Sequence, residues 1–164
     1  METGVPSFIG KRQQHLYASA ETSLRFTAKA ENEKAGFMVY YDETHFYYLC
    51  KSIDKGQPVI QLYKGKEGDK GMELITATPL TGNSKQLQLK IDAQGDHYDF
   101  YYAIKANNWI KLQGGLDAKY VSTRQAGGFT GCFFALYATS SGMPVNNAAQ
   151  YQYLQYNGND PMYK

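Results

Sequence analysis

At 164 residues the chain has the length of one domain, and 17 Lys and Arg against 15 Asp and Glu leave a net charge of only +2. So weak a field excludes charge-driven capture of nucleic acid or of an anionic membrane surface. No stretch approaches the roughly 18 to 20 consecutive apolar residues of a membrane helix, and the opening METGVPSF lacks the basic and apolar regions of a signal peptide, so a soluble domain is expected. Aromatic residues are abundant: 15 Tyr, 8 Phe and one Trp. Their rings favour strands and can stack on sugars or partners.

Taken in chain order, Leu24 and Phe26 flank Arg25 in a short alternating strand. Phe37 to Tyr41 and Phe46 to Cys50 enclose the polar stretch Asp42 to His45, the pattern of a hairpin with a short loop. A turn at Gly56-Gln57-Pro58 leads into a strand over Val59 to Tyr63. The Gly, Lys and Glu cluster from Lys64 to Gly71 reads as an exposed loop. Strict alternation from Gln86 to Ile91 places Leu87, Leu89 and Ile91 on one face of a half-buried strand. After a turn over Ala93 to Asp96, the run Tyr98 to Ile104 puts Tyr98, Phe100, Tyr102 and Ile104 on one face and completes a hairpin. The turn Lys105 to Asn108 leads to Trp109 and Ile110, while Gly114-Gly115 and Gly127-Gly128 read as turns or bulges. The last strands are Phe129 to Ala138 and Tyr151 to Tyr156, with a fraying tail from Asn157. No window shows an apolar stripe at helical spacing, and strands recur at short intervals, so the fold class is all-β, a sandwich or barrel.

The chemistry of metals and nucleophiles leaves no trace at motif level. His15, His45 and His97 lie far apart and stand in no zinc-binding arrangement, so each reads as a surface or strand histidine. Cys50 and Cys132 fall in apolar strands and read as free thiols. There is neither a nucleophile elbow nor a phosphate-binding glycine loop. A glycosidase would need two carboxylates about 5 to 10 Å apart across a cleft. Most acids here, including Asp42, Glu43, Asp54, Glu67, Asp69, Asp92 and Asp96, fall in turns and read as solvated charge. Neither catalytic residues nor a cofactor are therefore expected. A structural calcium remains a minor option, because no loop of regularly spaced oxygen ligands appears.

The string Phe8 to His15, FIGKRQQH, is similar to the opening of the C-terminal sandwich in glycoside hydrolase family 43 β-xylosidases and α-L-arabinofuranosidases. Further matches follow in family order: Asn32 to Gly36, Tyr47 to Leu49, Lys90-Ile91, Tyr98 to Tyr102, Ala126 to Gly131, Leu136 to Thr139 and the closing aromatic strand Tyr151 to Tyr156. The resemblance covers nearly all of Phe8 to Tyr156. It departs in the last strand, where the family often has acids and this chain reads Ala149-Gln150-Tyr151-Gln152-Tyr153-Leu154.

The resemblance implies a concanavalin A-like jelly roll of two antiparallel sheets, with an extension at 1–7, the sandwich at 8–157 and a tail at 158–164. It implies a partner in the same parent chain, a β-propeller that carries the catalytic carboxylates, and a xylo- or arabino-oligosaccharide as the parent's substrate. The compartment, bacterial cytoplasm, periplasm or outside the cell, would follow the parent. In such enzymes the loop matching Gly127, Gly128, Phe129 and Thr130 reaches the mouth of the propeller's pocket, with the position of Phe129 supplying the aromatic wall. Read from the residues alone, Phe129 instead starts a core strand. Arg12, Gln13 and His15 lie either on an edge strand or, as the resemblance implies, against the propeller. Trp109 is either a cap on the core or a sugar-stacking platform. The expected function is an accessory domain without activity of its own, the alternative an autonomous xylan-binding module.

Overall fold

The structure is a computed structural model and describes residues 7–81, 86–128 and 130–161. Two antiparallel sheets face each other. One has six strands in the order β1 (Ser7–Arg12), β10 (Phe133–Thr139), β3 (Lys34–Tyr40), β4 (Phe46–Asp54), β5 (Gln57–Lys66) and β6 (Asp69–Pro79). The other has five, β11 (Gln150–Gly158), β2 (Tyr17–Arg25), β7 (Gln86–Gln94), β8 (His97–Ala103) and β9 (Ile110–Asp117). Between β9 and β10 lie a 3₁₀ turn at Ala118–Val121 and a single helical turn, α1 (Thr123–Ala126). This is the all-β jelly-roll sandwich that the resemblance implies.

Alternation builds the core. Phe37, Val39, Leu49, Ile60, Leu62 and Phe134 point inward from the six-stranded sheet and meet Leu24, Leu87, Leu89, Ile91 and Phe100 from the five-stranded one. Burying each such side chain contributes about 1.5–3 kcal/mol. Tyr98, Phe100 and Tyr102 share the buried face as their spacing predicts, with Ile104 packed at its margin. A second, smaller apolar cluster lies on the opposite side of the six-stranded sheet, where Met38, Tyr48, Cys50 and Ala135 are buried beneath Tyr40, Phe46, Tyr63, Met72 and Tyr137.

Several boundaries differ from the sequence reading. The stretch Lys64 to Gly71 is not a loop: β5 continues to Lys66 and β6 begins at Asp69, leaving a two-residue turn at Glu67-Gly68. β6 closes the edge of its sheet, where one side has no neighbour and residues such as Glu73 and Leu74 are solvated, so the period-two signal is lost. The strand read from Phe129 starts only at Phe133. Asp92 is not a turn acid. It lies in β7, accepts a hydrogen bond from the Ser19 hydroxyl at 2.7 Å and pairs with Lys90 at 3.1 Å. The tail is also held further than expected. Asn157 and Gly158 belong to β11, the Asn159 amide donates to the Tyr17 carbonyl at 2.7 Å, and the Asp160 carboxylate accepts from the amides of Leu16 and Tyr17 at 3.2 and 2.6 Å. Gly114-Gly115 does form the expected bulge, inside β9 opposite Asp99.

Candidate functional site

Gly127 and Gly128 sit beside Tyr41, at the end of the sandwich where β3 turns into β4. The α1 turn stops because Gly127 adopts φ 76°, and Gly128 follows at φ 75°, both left-handed conformations that glycine adopts without strain. The Gly127 amide returns to the Thr123 carbonyl at 3.0 Å, and the Tyr41 hydroxyl donates to the Gly127 carbonyl. A side chain on Gly128 would place its Cβ 3.0 Å from that same hydroxyl. Gly127, Gly128 and Thr130 are all exposed, and Phe129 lies outside the described residues.

Beneath this loop is a polar cluster that the sequence reading did not assemble. The buried Tyr120 hydroxyl lies 2.8 Å from the Thr44 carbonyl and 2.7 Å from that of Gly65, tying the β3–β4 turn to the end of β5. Lys64 Nζ rests 3.9 Å above the Tyr120 ring. His45 is not a surface histidine but is buried, with Nδ1 3.0 Å from Asp42 and Nε2 3.5 Å from Glu67. Burial raises the Asp42 carboxyl, but the hydrogen bonds it accepts from the Thr44 amide and from His45 outweigh that and hold it below the usual carboxylate range. Gln125 of α1 donates to Glu67 at 3.3 Å, which fastens the helical turn to the same cluster. The legible signal was the spacing Asp42-x-x-His45 across a hairpin turn, where a side-chain oxygen caps the turn amides. Tyr41 and Tyr120 gave no local signal, because their partners are distant in sequence.

Arg12 and Gln13 lie beside the start of β10, Arg12 opposite Phe133 and Gln13 against Cys132, while His15 packs on β11. Their roles separate. Gln13 serves the sandwich itself: its amide donates to the Cys132 carbonyl at 3.0 Å, and its side-chain oxygen accepts from the Tyr98 hydroxyl at 2.8 Å. His15 Nδ1 is 2.8 Å from the Tyr156 hydroxyl, and the ring lies so close over Gly158 that a Cβ there would come within 2.4 Å of it. Arg12 is exposed, its guanidinium 5.2 Å from the Phe133 ring centre. The whole of β1 is exposed and forms the sheet's edge, and Ile9 on it keeps 67% of its surface in solvent. That is an apolar edge with unpaired backbone groups.

Trp109 lies elsewhere. It is half-buried just before β9, with Lys90 Nζ 5.1 Å from its ring centre, and it takes no part in the core cluster. Cys50 and Cys132 are free thiols, with Cys132 just ahead of β10 rather than within it. Among the described residues no three His, Cys, Asp or Glu side chains are grouped to hold a metal ion, and no helix is long and apolar enough to cross a membrane.

Comparison with known proteins adds a decisive match. A family profile described as the β-xylosidase C-terminal concanavalin A-like domain covers residues 1–157. The chain belongs to this family. It is 32% identical over 151 residues to a non-reducing end α-L-arabinofuranosidase of Bacteroides ovatus, covering 92% of this chain and 28% of that protein. It is 34% identical over 158 residues to a xylosidase/arabinosidase of Butyrivibrio fibrisolvens, again covering 92% of this chain and 28% of the relative. Among solved structures, the Bacteroides ovatus xyloglucan PUL GH43B superposes with a TM-score of 0.83 at 30% identity over 93% of this chain and 29% of that one. A xylan β-1,4-xylosidase from Bacillus halodurans shares the fold with a TM-score of 0.81 at 22% identity, covering 93% of this chain and 30% of its own. This family domain thus spans little more than a quarter of the length of the relatives it matches.

Proposed function

We propose that the chain is a non-catalytic accessory domain of a family 43 glycoside hydrolase acting on xylo- or arabino-oligosaccharides. In this reading it packs against a β-propeller in the same parent chain and lends the propeller's substrate pocket one aromatic wall, Phe129. The observation that carries the reading is the anchoring of the exposed Gly127-Gly128 turn. Two left-handed glycines, the Tyr41 hydroxyl and the Glu67–Gln125 link anchor this solvent-exposed turn. A preorganised loop loses little further entropy when a partner covers it. Glycines also permit close backbone approach to another surface. The exposed β1 edge, with Ile9 and Arg12, lies at the margin of the same end and gives the propeller an apolar and cationic border to meet.

The test is Phe129→Ala in the full-length parent. Losing one ring against a sugar lowers kcat/KM by about tenfold while leaving the sandwich's thermal unfolding in place. Unchanged kinetics removes the pocket role. Turnover of aryl xylosides or arabinofuranosides by the purified chain alone contradicts the non-catalytic reading.

A further inference from the structure

The six-stranded sheet ends in β1 and β6, the five-stranded one in β11 and β9. Three of these edges are blunted. Pairing register breaks between Tyr151 and Leu154 of β11, at Leu62/Tyr63 and Gly65/Lys66 along β5–β6, and on both sides of Phe100 along β8–β9. Such breaks twist an edge away from an incoming strand. β6 also carries the exposed Glu73 and Pro79. β1 differs: it pairs with β10 without a break from Ser7 opposite Ala138 to Arg12 opposite Phe133, and every residue of it is exposed.

Alternation fixes which backbone groups of β1 are free. The Gln13 amide donates to the Cys132 carbonyl at 3.0 Å, in continuation of the same register, so Lys11, Ile9 and Ser7 also bond towards β10. The amides and carbonyls of Phe8, Gly10 and Arg12 then point away from the sheet, and a strand added at this edge must bond to them. A second β1 does so best in one antiparallel register. With Gly10 opposite its own copy, Phe8 of each chain faces Arg12 of the other, which makes three hydrogen-bonded pairs, and Ile9 faces Lys11 between them. Each cation then lies against an apolar side chain, as Arg12 already lies 5.2 Å from the Phe133 ring centre within one chain. Every other register that bonds these residues to one another forms fewer such pairs. Those shifted towards Arg12 bring Lys11 onto Lys11 or Arg12 onto Arg12.

We propose that β1 is a self-association edge. Two copies of the chain pair antiparallel through β1 about a two-fold axis at Gly10 and join their six-stranded sheets into one. The occupant is a second copy because its β1 supplies both the free backbone groups and the side chains that match. Ile9 and Arg12 also stand at the border proposed for the propeller, so pairing and that docking exclude each other. The test therefore uses the chain alone.

Sedimentation equilibrium over a concentration series is expected to give an average mass that climbs from one chain towards two. Arg12→Pro and Gly10→Pro each remove an amide that faces away from β10, so each weakens association by at least about tenfold while the urea midpoint changes little. Leu74→Asp, on the β6 edge, leaves association unchanged. In amide exchange followed by NMR, Phe8, Gly10 and Arg12 slow as the chain is concentrated, whereas Ile9, already bonded to β10, does not. The assignment is overturned by a one-chain mass at every concentration, by dimers that persist in both proline variants, by dimers lost in Leu74→Asp, or by slowing confined to amides outside β1. None of these results bears on the kinetics of Phe129→Ala in the parent, so the two readings fail separately.

Discussion

The two sheets bury their inner faces in the same way and finish their outer faces in opposite ways. Outside the five-stranded sheet long polar side chains pair with one another: Lys111 meets Asp99 at 2.7 Å, Lys90 meets Asp92, Gln86 reaches Ser23 and Gln152, and Gln88 reaches Tyr153. Outside the six-stranded sheet Tyr, Phe and Met side chains gather over Cys50 and Ala135, and the Tyr40 and Tyr137 hydroxyls bond to no described residue. The first face uses much of its polar surface in contacts within itself. The second keeps apolar area and hydrogen-bonding capacity in reserve, which is what a surface requires before it can recognise something else.

The largest effect that would sharpen this contrast is on stability. Tyr48 is fully buried on the outer side of its sheet, so Tyr48→Ala is expected to cost about 3–5 kcal/mol in urea unfolding. Its counterpart on the other face, Tyr101→Ala, should cost less than about 1 kcal/mol, because Tyr101 is only half-buried among lysines. Equal losses would break the comparison. The thiols give a second measure. Burial pushes the Cys50 thiol up to about 12, so alkylation at Cys50 should await global unfolding, and the rate of its modification should follow urea concentration as unfolding does. Cys50 labelling at the native baseline would mean that the aromatic layer opens locally.

On the polar face the expected loss is smaller. Asp99→Ala removes the partner of Lys111 and of the Gly115 amide, at about 1–3 kcal/mol. Burial disfavours the Asp99 carboxylate, yet the Lys111 and Gly115 hydrogen bonds outweigh it and hold its carboxyl below the ordinary value. The unfolded chain, titrating near the usual value of about 4, therefore takes up the proton first as pH falls. The contribution of Asp99 is fully present above about pH 4 and drains away as acid carries the folded carboxyl through its own lower titration. A pH series of urea melts should show Asp99→Asn losing part of that acid limb. The smallest effect concerns Trp109, the one tryptophan in the chain. With Lys90 resting on its ring, its emission should not change when xylohexaose is added. A clear shift would make Trp109 a sugar-stacking platform rather than a cap.

How much of this could be read beforehand varies with how local the cause is. The Leu87, Leu89 and Ile91 alternation was legible because β7 lies inside its sheet with one face in the core, so every second residue meets the same environment. β6 was not, since an edge strand exposes parts of both faces and dilutes the period. The fraying expected at Asn157 failed because what holds that tail, the Leu16 and Tyr17 backbone, lies at the far end of the chain. At the candidate site the family motif is what singles out Gly127, Gly128 and Thr130. The residues that fix them, Tyr41, Tyr120 and buried His45, come together only through tertiary contact. The same limit applies to the outer aromatic layer: Tyr40, Tyr48 and Tyr137 reveal their common face only once β3, β4 and β10 are set in one sheet.

That order of strands also bears on how the domain comes into being. β10 separates β1 from β3, and β11 covers the edge of β2, so the first strands made are completed by the last two. During synthesis the six-stranded sheet cannot close until β10, nor the five-stranded sheet until β11, has left the ribosome, and the early strands must wait with their apolar faces and ladder edges uncovered. Such long-range pairing places folding towards the slow end of small domains. It also makes a chain shortened before Gln150 a candidate for edge-to-edge aggregation rather than for a smaller stable sandwich.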